Sequence, residues 1–160
     1  MRLAYADPPY PGMAHKYPEN SEVDHADLLA ELECFDGWAL STGSVNLAHV
    51  LPLAPAGVRI AAWVKPFASF KPWVNPAYAW EPVLFVCPDR KRSRESATVR
   101  DWVAANITLR KGLCGAKPPQ FCAWLLDLLG FDPTEDTLTD LFPGTGSMGR
   151  AMQRHRRRLL

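Results

Sequence analysis

Several absences restrict what this sequence can be. No apolar run is long enough to span a bilayer, and the N-terminal segment MRLAYADPPYPG reaches an aspartate and prolines too early for a signal peptide. The four cysteines form no CxxC pair, which argues against a zinc site. A formal net charge of +1 excludes a uniformly basic nucleic-acid-binding surface. We therefore expect a cytoplasmic protein with reduced cysteines, no metal and no membrane association, in which any nucleic-acid contact is local.

Short apolar segments between prolines and glycines predict alternating strands and helices. Strands are predicted at 2–6, 38–42, 58–65, 82–87 and 137–142. A first helix is predicted to begin at a Ser21 cap, and a second, short helix follows the strand at 38–42 and ends at about Leu51. A third helix is predicted over 117–129 with Gly130 as the stop, and a last one after residue 147. The alternation favours one α/β domain over residues 1–160, with a mostly parallel sheet covered on both sides.

The tetrad Asp7-Pro8-Pro9-Tyr10 directly follows the first predicted strand. In a parallel α/β sheet the ligand site lies at the carboxyl ends of the strands, so the acid would face it. The prolines remove backbone donors and leave carbonyl oxygens free to accept. A carboxylate, a free carbonyl and an aromatic ring suit an amino group on an aromatic base. A proline turn with a solvated aspartate is the alternative interpretation.

A second motif, DLFPGTGS over 140–147, follows the last predicted strand and precedes a helix. Closely spaced glycines allow a tight turn and the close approach of a ligand. The next helix start offers backbone N–H groups to an anion. The motif is not a P-loop, because no Lys-Ser/Thr pair follows the glycines. A tight loop with no ligand is the alternative.

Together, and in this order, the two motifs resemble the S-adenosylmethionine-dependent amino-methyltransferases of nucleic acids, the adenine-N6 and cytosine-N4 enzymes. Because the DPPY motif comes first, the chain resembles the circularly permuted branch, which includes the bacterial β-class DNA enzymes and relatives of the mRNA adenosine methyltransferase. Trp63–Pro66 (WVKP), Glu81 and Lys117-Pro118 are similar to further family segments. The resemblance implies a Rossmann-like class I methyltransferase sheet in a single domain over 1–160.

The resemblance also implies the cofactor, S-adenosyl-L-methionine, and a set of site residues. Asp7 and the Pro8 carbonyl would bind the target amino group, within the catalytic set Asp7, Pro8, Pro9 and Tyr10. Tyr10 would stack on a flipped base. The cofactor-binding set would be Asp7, Lys117, Asp140, Phe142, Gly144, Thr145 and Gly146.

Basic residues beside the aromatic segment 67–80 are candidates for nucleic-acid binding. The alternative interpretation of the basic run at 90–94 is a solvated surface. A second basic run at 154–158 is also a candidate for phosphate contacts, and its alternative role is to stabilise the negative end of the last helix. The predicted set is Lys65, Arg90, Lys91, Arg92 and Arg94.

The chain departs from the family at the end of the sheet. Two further strands that usually follow the glycine motif are missing, which predicts about five strands and a glycine-motif strand at or near an edge. A homodimer or a partner subunit that covers this edge is one hypothesis.

The favoured function is methylation of adenine N6 in DNA. The alternatives are an RNA adenine methyltransferase and a degenerate methyltransferase-fold binding module that needs or supports a partner. The least favoured is methylation of a protein glutamine or a small amine.

Overall fold

In the computed structural model, the described residues are 1–16, 21–67, 72–91, 94, 97–108 and 116–157. The strands are β1 (Arg2–Ala6), β2 (Gly37–Ser41), β3 (Arg59–Val64), β4 (Trp80–Val86), β5 (Trp102–Ala104) and β6 (Thr137–Asp140). The α-helices are α1 (His25–Leu32), α2 (Leu47–Val50), α3 (Pro119–Leu129) and α4 (Ser147–Arg157). Single 3-10 turns occupy Ala14–Lys16, Ser44–Asn46 and Leu51–Leu53. In this described part, no helix is long and apolar enough to cross a membrane.

The strands form one sheet in the order β5-β3-β4-β2-β1-β6. β4 is antiparallel to both of its neighbours, and the other pairings are parallel. The mostly parallel sheet is thus confirmed, and so is the edge position of β6, the strand before the glycine motif. The described residues form six strands where about five were expected, and the strand that the sequence did not predict is β5, a three-residue strand beside β3.

Alternate residues of the strands pack on the two faces of the sheet, as the pleat requires. Leu3 and Tyr5 of β1 belong to one core cluster, which contains the apolar faces of α3 and α4. Ala4 and Ala6 belong to the other cluster, which contains the apolar face of α1. The sheet is therefore covered by helices on both sides, and β1 is buried between them.

The helix ends differ in part from the sequence expectations. The predicted Ser21 cap is wrong: Asp24 caps α1 by accepting from the backbone N–H groups of Ala26 and Asp27. An aspartate directly before the first turn is as good a cap as a serine three residues earlier. The Gly130 stop is confirmed, since Gly130 adopts a left-handed conformation with φ 64° after α3.

Gly37 opens β2 where another chain segment passes very close. A Cβ at this position would lie 2.6 Å from Pro88 Cδ and 2.8 Å from Pro88 N. We expect Gly37→Ala to lower the free energy of unfolding by about 2 kcal/mol, because the backbone of Pro88 must shift. Urea unfolding followed by circular dichroism measures the change.

Gly149 provides the matched control, since it lies within α4 with no atom within 4 Å of a Cβ. Gly149→Ala should raise the free energy of unfolding by about 0.5 kcal/mol, because alanine favours the helix. Equal effects of the two substitutions would contradict the close approach of Pro88.

Candidate active site

The two sequence motifs meet at the carboxyl end of the parallel strands, although they come from opposite ends of the chain. β1 and β6 pair in parallel, with Tyr5 opposite Asp140. The Leu141 N–H continues this pairing by donating to the Tyr5 carbonyl at 2.9 Å. The DPPY tetrad and the glycine turn therefore leave the sheet side by side, at the carboxyl ends of adjacent parallel strands. The carboxyl ends of the strands are where α/β sheets bind ligands.

The glycine turn has the backbone shape that its sequence predicts. Gly144 and Gly146 have φ angles of 43° and 72°, which side-chain-bearing residues rarely adopt. The Gly146 N–H donates to the Pro143 carbonyl, and the Phe142 N–H donates to Asp140 Oδ1 at 3.3 Å. Because α4 begins directly after this turn, its first N–H groups lie at the same edge of the sheet.

Asp7 forms an ion pair with Lys117, the residue two positions before α3. Lys117 Nζ lies 2.8 Å from Asp7 Oδ1, and the Lys117 side chain is only 7% exposed. The ammonium also lies 5.6 Å and 5.9 Å from the ring centroids of Trp63 and Phe121. These rings add favourable cation–π contacts to a charge that has been removed from water.

Glu81 and Lys65 extend this pair into a row of alternating charges. Because β4 is antiparallel to β3, Glu81 near its start lies at the same edge as Lys65, which follows β3. Lys65 Nζ donates to Glu81 Oε1, and Lys117 Nζ lies 3.5 Å from Glu81 Oε2. The order Lys65, Glu81, Lys117, Asp7 places each charge beside one of opposite sign, which offsets the cost of their burial.

Burial and neighbouring charges move the pKa values of the carboxyl groups in opposite directions. Burial raises the pKa of Asp7 above its ordinary value, although Lys117 pulls it down. Burial also raises the pKa of Asp140. For Glu81 burial acts in the same sense, but Lys117 and Lys65 outweigh it and lower the pKa. Glu81 is thus a fixed anion, whereas Asp7 is the more basic carboxylate of the two.

Tyr10 is held from two sides. Its hydroxyl is hydrogen-bonded to Glu81, which contributes to the lowered pKa of that carboxyl group. Its ring packs on Gly43, where a Cβ would lie 3.1 Å from the ring. Gly43 follows β2 at the same end of the sheet, and neither of the two sequence motifs includes it. The carboxyl-end rule for parallel strands, applied to β2, is the signal that points to it.

The predicted nucleic-acid-binding residues are not brought together as expected. Lys65 is only 13% exposed and lies in the charge row with Glu81. Arg90 lies at the opposite end of the sheet, where it binds Asp136 and the Gly130 carbonyl. Lys91 and Arg94 are exposed, and Arg92 lies outside the described residues.

The placements of Lys65 and Arg90 separate these two residues, so Lys65 does not form one surface with the basic run at 90–94. Asp136 is fully buried, and hydrogen bonds from Arg90, the Met1 amine and the Asp132 N–H outweigh its burial and lower its pKa to about 2. The guanidinium of Arg90 is thus engaged in holding the fold together.

Replacing Lys117 by methionine should leave Asp7 as a buried carboxylate without its cation. We expect K117M to lower the free energy of unfolding by about 3 kcal/mol near pH 8. The loss should shrink near pH 5, because the raised pKa of Asp7 lets the folded state take up a proton before the unfolded chain does. The K117M variant should therefore lose stability as pH rises through the pKa of Asp7 in its folded state. Urea unfolding at both pH values measures it.

Lys91→Met is the matched control, because Lys91 is exposed. It should change stability little at either pH. A loss in K117M that is the same at both pH values would contradict the Asp7 pairing.

Comparison with known proteins identifies the fold. No family model matches the chain, and no curated protein does. The solved structure titled "crystal structure of M1.HpyAVI-SAM complex" matches with a TM-score of 0.63 and 12% identity, over 95% of this chain and 76% of that chain. The structure titled "crystal structure of M1.HpyAVI" matches with a TM-score of 0.62 and 13% identity, over 95% and 75%. The chain has the Rossmann-like α/β fold of M1.HpyAVI, the methyltransferase fold that its motifs predicted.

Proposed function

We propose that this protein is an S-adenosylmethionine-dependent methyltransferase that methylates an exocyclic amino group of a nucleic-acid base, adenine N6 in DNA. The observation that carries the proposal is that the DPPY tetrad and the glycine turn leave the sheet side by side, at the carboxyl ends of β1 and β6. The DPPY tetrad supplies acceptors for an amine, and the glycine turn supplies a cradle for a ligand. The fold shared with M1.HpyAVI, which was solved with SAM, supports the same conclusion.

The residues at this edge fit the charges of S-adenosylmethionine, which carries a carboxylate, an ammonium and a sulfonium. Lys117 and the N–H groups at the start of α4 suit the carboxylate. Among the described residues Asp140 forms no ion pair and accepts from the Phe142 N–H through Oδ1, which leaves Oδ2 for a donor group. We assign the cofactor to Asp7, Lys117, Asp140, Phe142, Gly144, Thr145 and Gly146.

The bound cofactor supplies an electrophilic methyl group. An exocyclic amine is a poor nucleophile, because its lone pair is delocalised into the ring. Hydrogen bonds from the amine to Asp7 and to the Pro8 carbonyl favour a pyramidal nitrogen, which frees the lone pair, and stabilise the positive charge that develops on it. The methylated nitrogen must then lose a proton. The raised pKa of Asp7 makes its carboxylate a better acceptor for that proton.

The substrate base must leave its stack to reach Asp7. Tyr10 offers it a ring that is fixed by Gly43 and Glu81 before the base arrives. We favour the permuted branch of the family, because the DPPY tetrad directly follows β1 and the glycine turn follows β6. We favour DNA over RNA on the resemblance to the β-class DNA enzymes. The intact amine acceptors favour catalysis over a degenerate binding module.

Transfer of labelled methyl from S-adenosylmethionine to unmethylated DNA, with RNA in parallel, tests the proposal. We expect label in DNA, and a loss of at least about 100-fold in Asp7→Ala, because that variant lacks the principal amine acceptor. Asp127→Ala is the matched control, since Asp127 is an exposed acid on α3 and should leave the rate unchanged. Folded wild-type protein that labels neither polymer would support the degenerate binding module instead.

Substitutions of Tyr10 separate its ring from its hydroxyl. Removing the ring in Tyr10→Ala should raise KM for DNA about 10-fold or more, because base–aromatic stacking contributes about 1–3 kcal/mol. Tyr10→Phe keeps the ring and loses only the hydrogen bond to Glu81. Its KM should stay within about 3-fold of wild type. Steady-state kinetics with DNA as the varied substrate measure both, and equal effects of the two variants would exclude a stacking role.

A further inference from the structure

A groove of about 370 Å³ lies between α3 and α4, beside the glycine turn. We call it the α4 groove. Its polar lining consists of hydroxyl, amide, imidazole and cationic side chains, and no carboxylate lines it among the described residues. The cations are Lys117, Arg150 and Arg154, and the principal neutral donors are Thr145, Ser147 and Gln120. A groove with this lining selects an anion that can take up several hydrogen bonds.

No ion pair within the described residues neutralises the arginines of α4. In the described part of the chain, the cations of the ion pairs are the Met1 amine, Lys65, Arg90 and Lys117. Arg150 instead donates to the Thr145 carbonyl at 2.7 Å and to Ser147 Oγ at 3.2 Å, which fixes its guanidinium at the mouth of the glycine turn. In a protein whose net charge is only +1, α4 is a local concentration of positive charge.

The spacing of these arginines suits a repeating anion better than a single one. Arg150, Arg154 and Arg157 recur at intervals of four and three residues, which places them on one face of α4. Their backbone positions rise by about 6 Å and about 4.5 Å along the helix. Phosphates along one nucleic-acid strand recur at about 3.4 Å of axial rise, so the long side chains can reach neighbouring phosphates.

We propose that the arginine face of α4, together with the part of the α4 groove that Arg154 lines, binds the sugar–phosphate backbone of a nucleic-acid strand and leads it to the catalytic site. The other end of the groove, at Lys117 and Thr145, belongs to the cofactor set. Lys117 connects the two places, because it lines the groove and also pairs with Asp7. The inference rests on the proposed function and assigns the backbone contacts to a different surface from the run at 90–94. Arg154 and Arg157 are the residues that it adds, since both are exposed and lie outside the cofactor set.

Binding of a labelled 20-nucleotide oligonucleotide, followed by fluorescence anisotropy over a range of NaCl concentrations, tests the inference. The double variant Arg154→Ala/Arg157→Ala should bind at least about 10-fold more weakly. The negative slope of log K against log salt should become shallower by about 1.4, because two phosphate contacts are lost. Arg59→Ala/Arg100→Ala is the matched control. It removes the same charge from exposed positions near the amino ends of β3 and β5 and should bind within about 2-fold of wild type.

The outcomes separate this inference from the proposed function. Equal weakening in both double variants would overturn the α4 assignment, and so would poly-glutamate that competes as strongly as unlabelled oligonucleotide. Arginine-dependent binding by a wild-type protein that transfers no methyl group supports the groove and counts against the enzyme. Asp7-dependent transfer with a KM for DNA that is unchanged in Arg154→Ala/Arg157→Ala supports the enzyme and overturns the groove.

Discussion

The parallel pairing of β1 with β6 is the contact on which the candidate site depends. Without it, the DPPY tetrad and the glycine turn would be far apart, since they come from opposite ends of the sequence. Both strands point the same way, so both motifs leave the sheet at one edge. α3 is held on this side of the sheet by its apolar face, and it brings Lys117 to Asp7. Three distant segments thereby supply an acceptor, a cradle and a cation within one small region.

The row of alternating charges is the second constraint, and it connects stability with chemistry. Burying four charges is costly unless each has an opposite neighbour, and the row from Lys65 to Asp7 provides this. Glu81 lies between two lysines and stays ionised, so it can hold Tyr10 and Lys65 in place. Asp7 stands at the end of the row with one cation. Its more basic carboxylate is the better acceptor for an amine proton.

Much of the fold could be predicted because β1 and the apolar face of α3 have strong sequence patterns, and because Gly130 marks the end of α3. β5 could not, since its three residues show too little alternation and its pairing with β3 is a long-range contact. The DPPY and glycine motifs were found from local residue types alone. The partners of Lys65 and Arg90 were not, because they depend on the direction of β4 and on the burial of Asp136. Local sequence reports the chemistry of a side chain, whereas its partner is set by the topology.

A crystal structure with S-adenosylmethionine bound would show directly where the methyl donor lies relative to Asp7 and the glycine turn. We predict that the donor lies along the glycine turn from Asp140 to Gly146, with its carboxylate near Lys117 and its methyl group toward Asp7. A donor bound at another edge of the sheet, or one whose methyl group points away from Asp7, would contradict it.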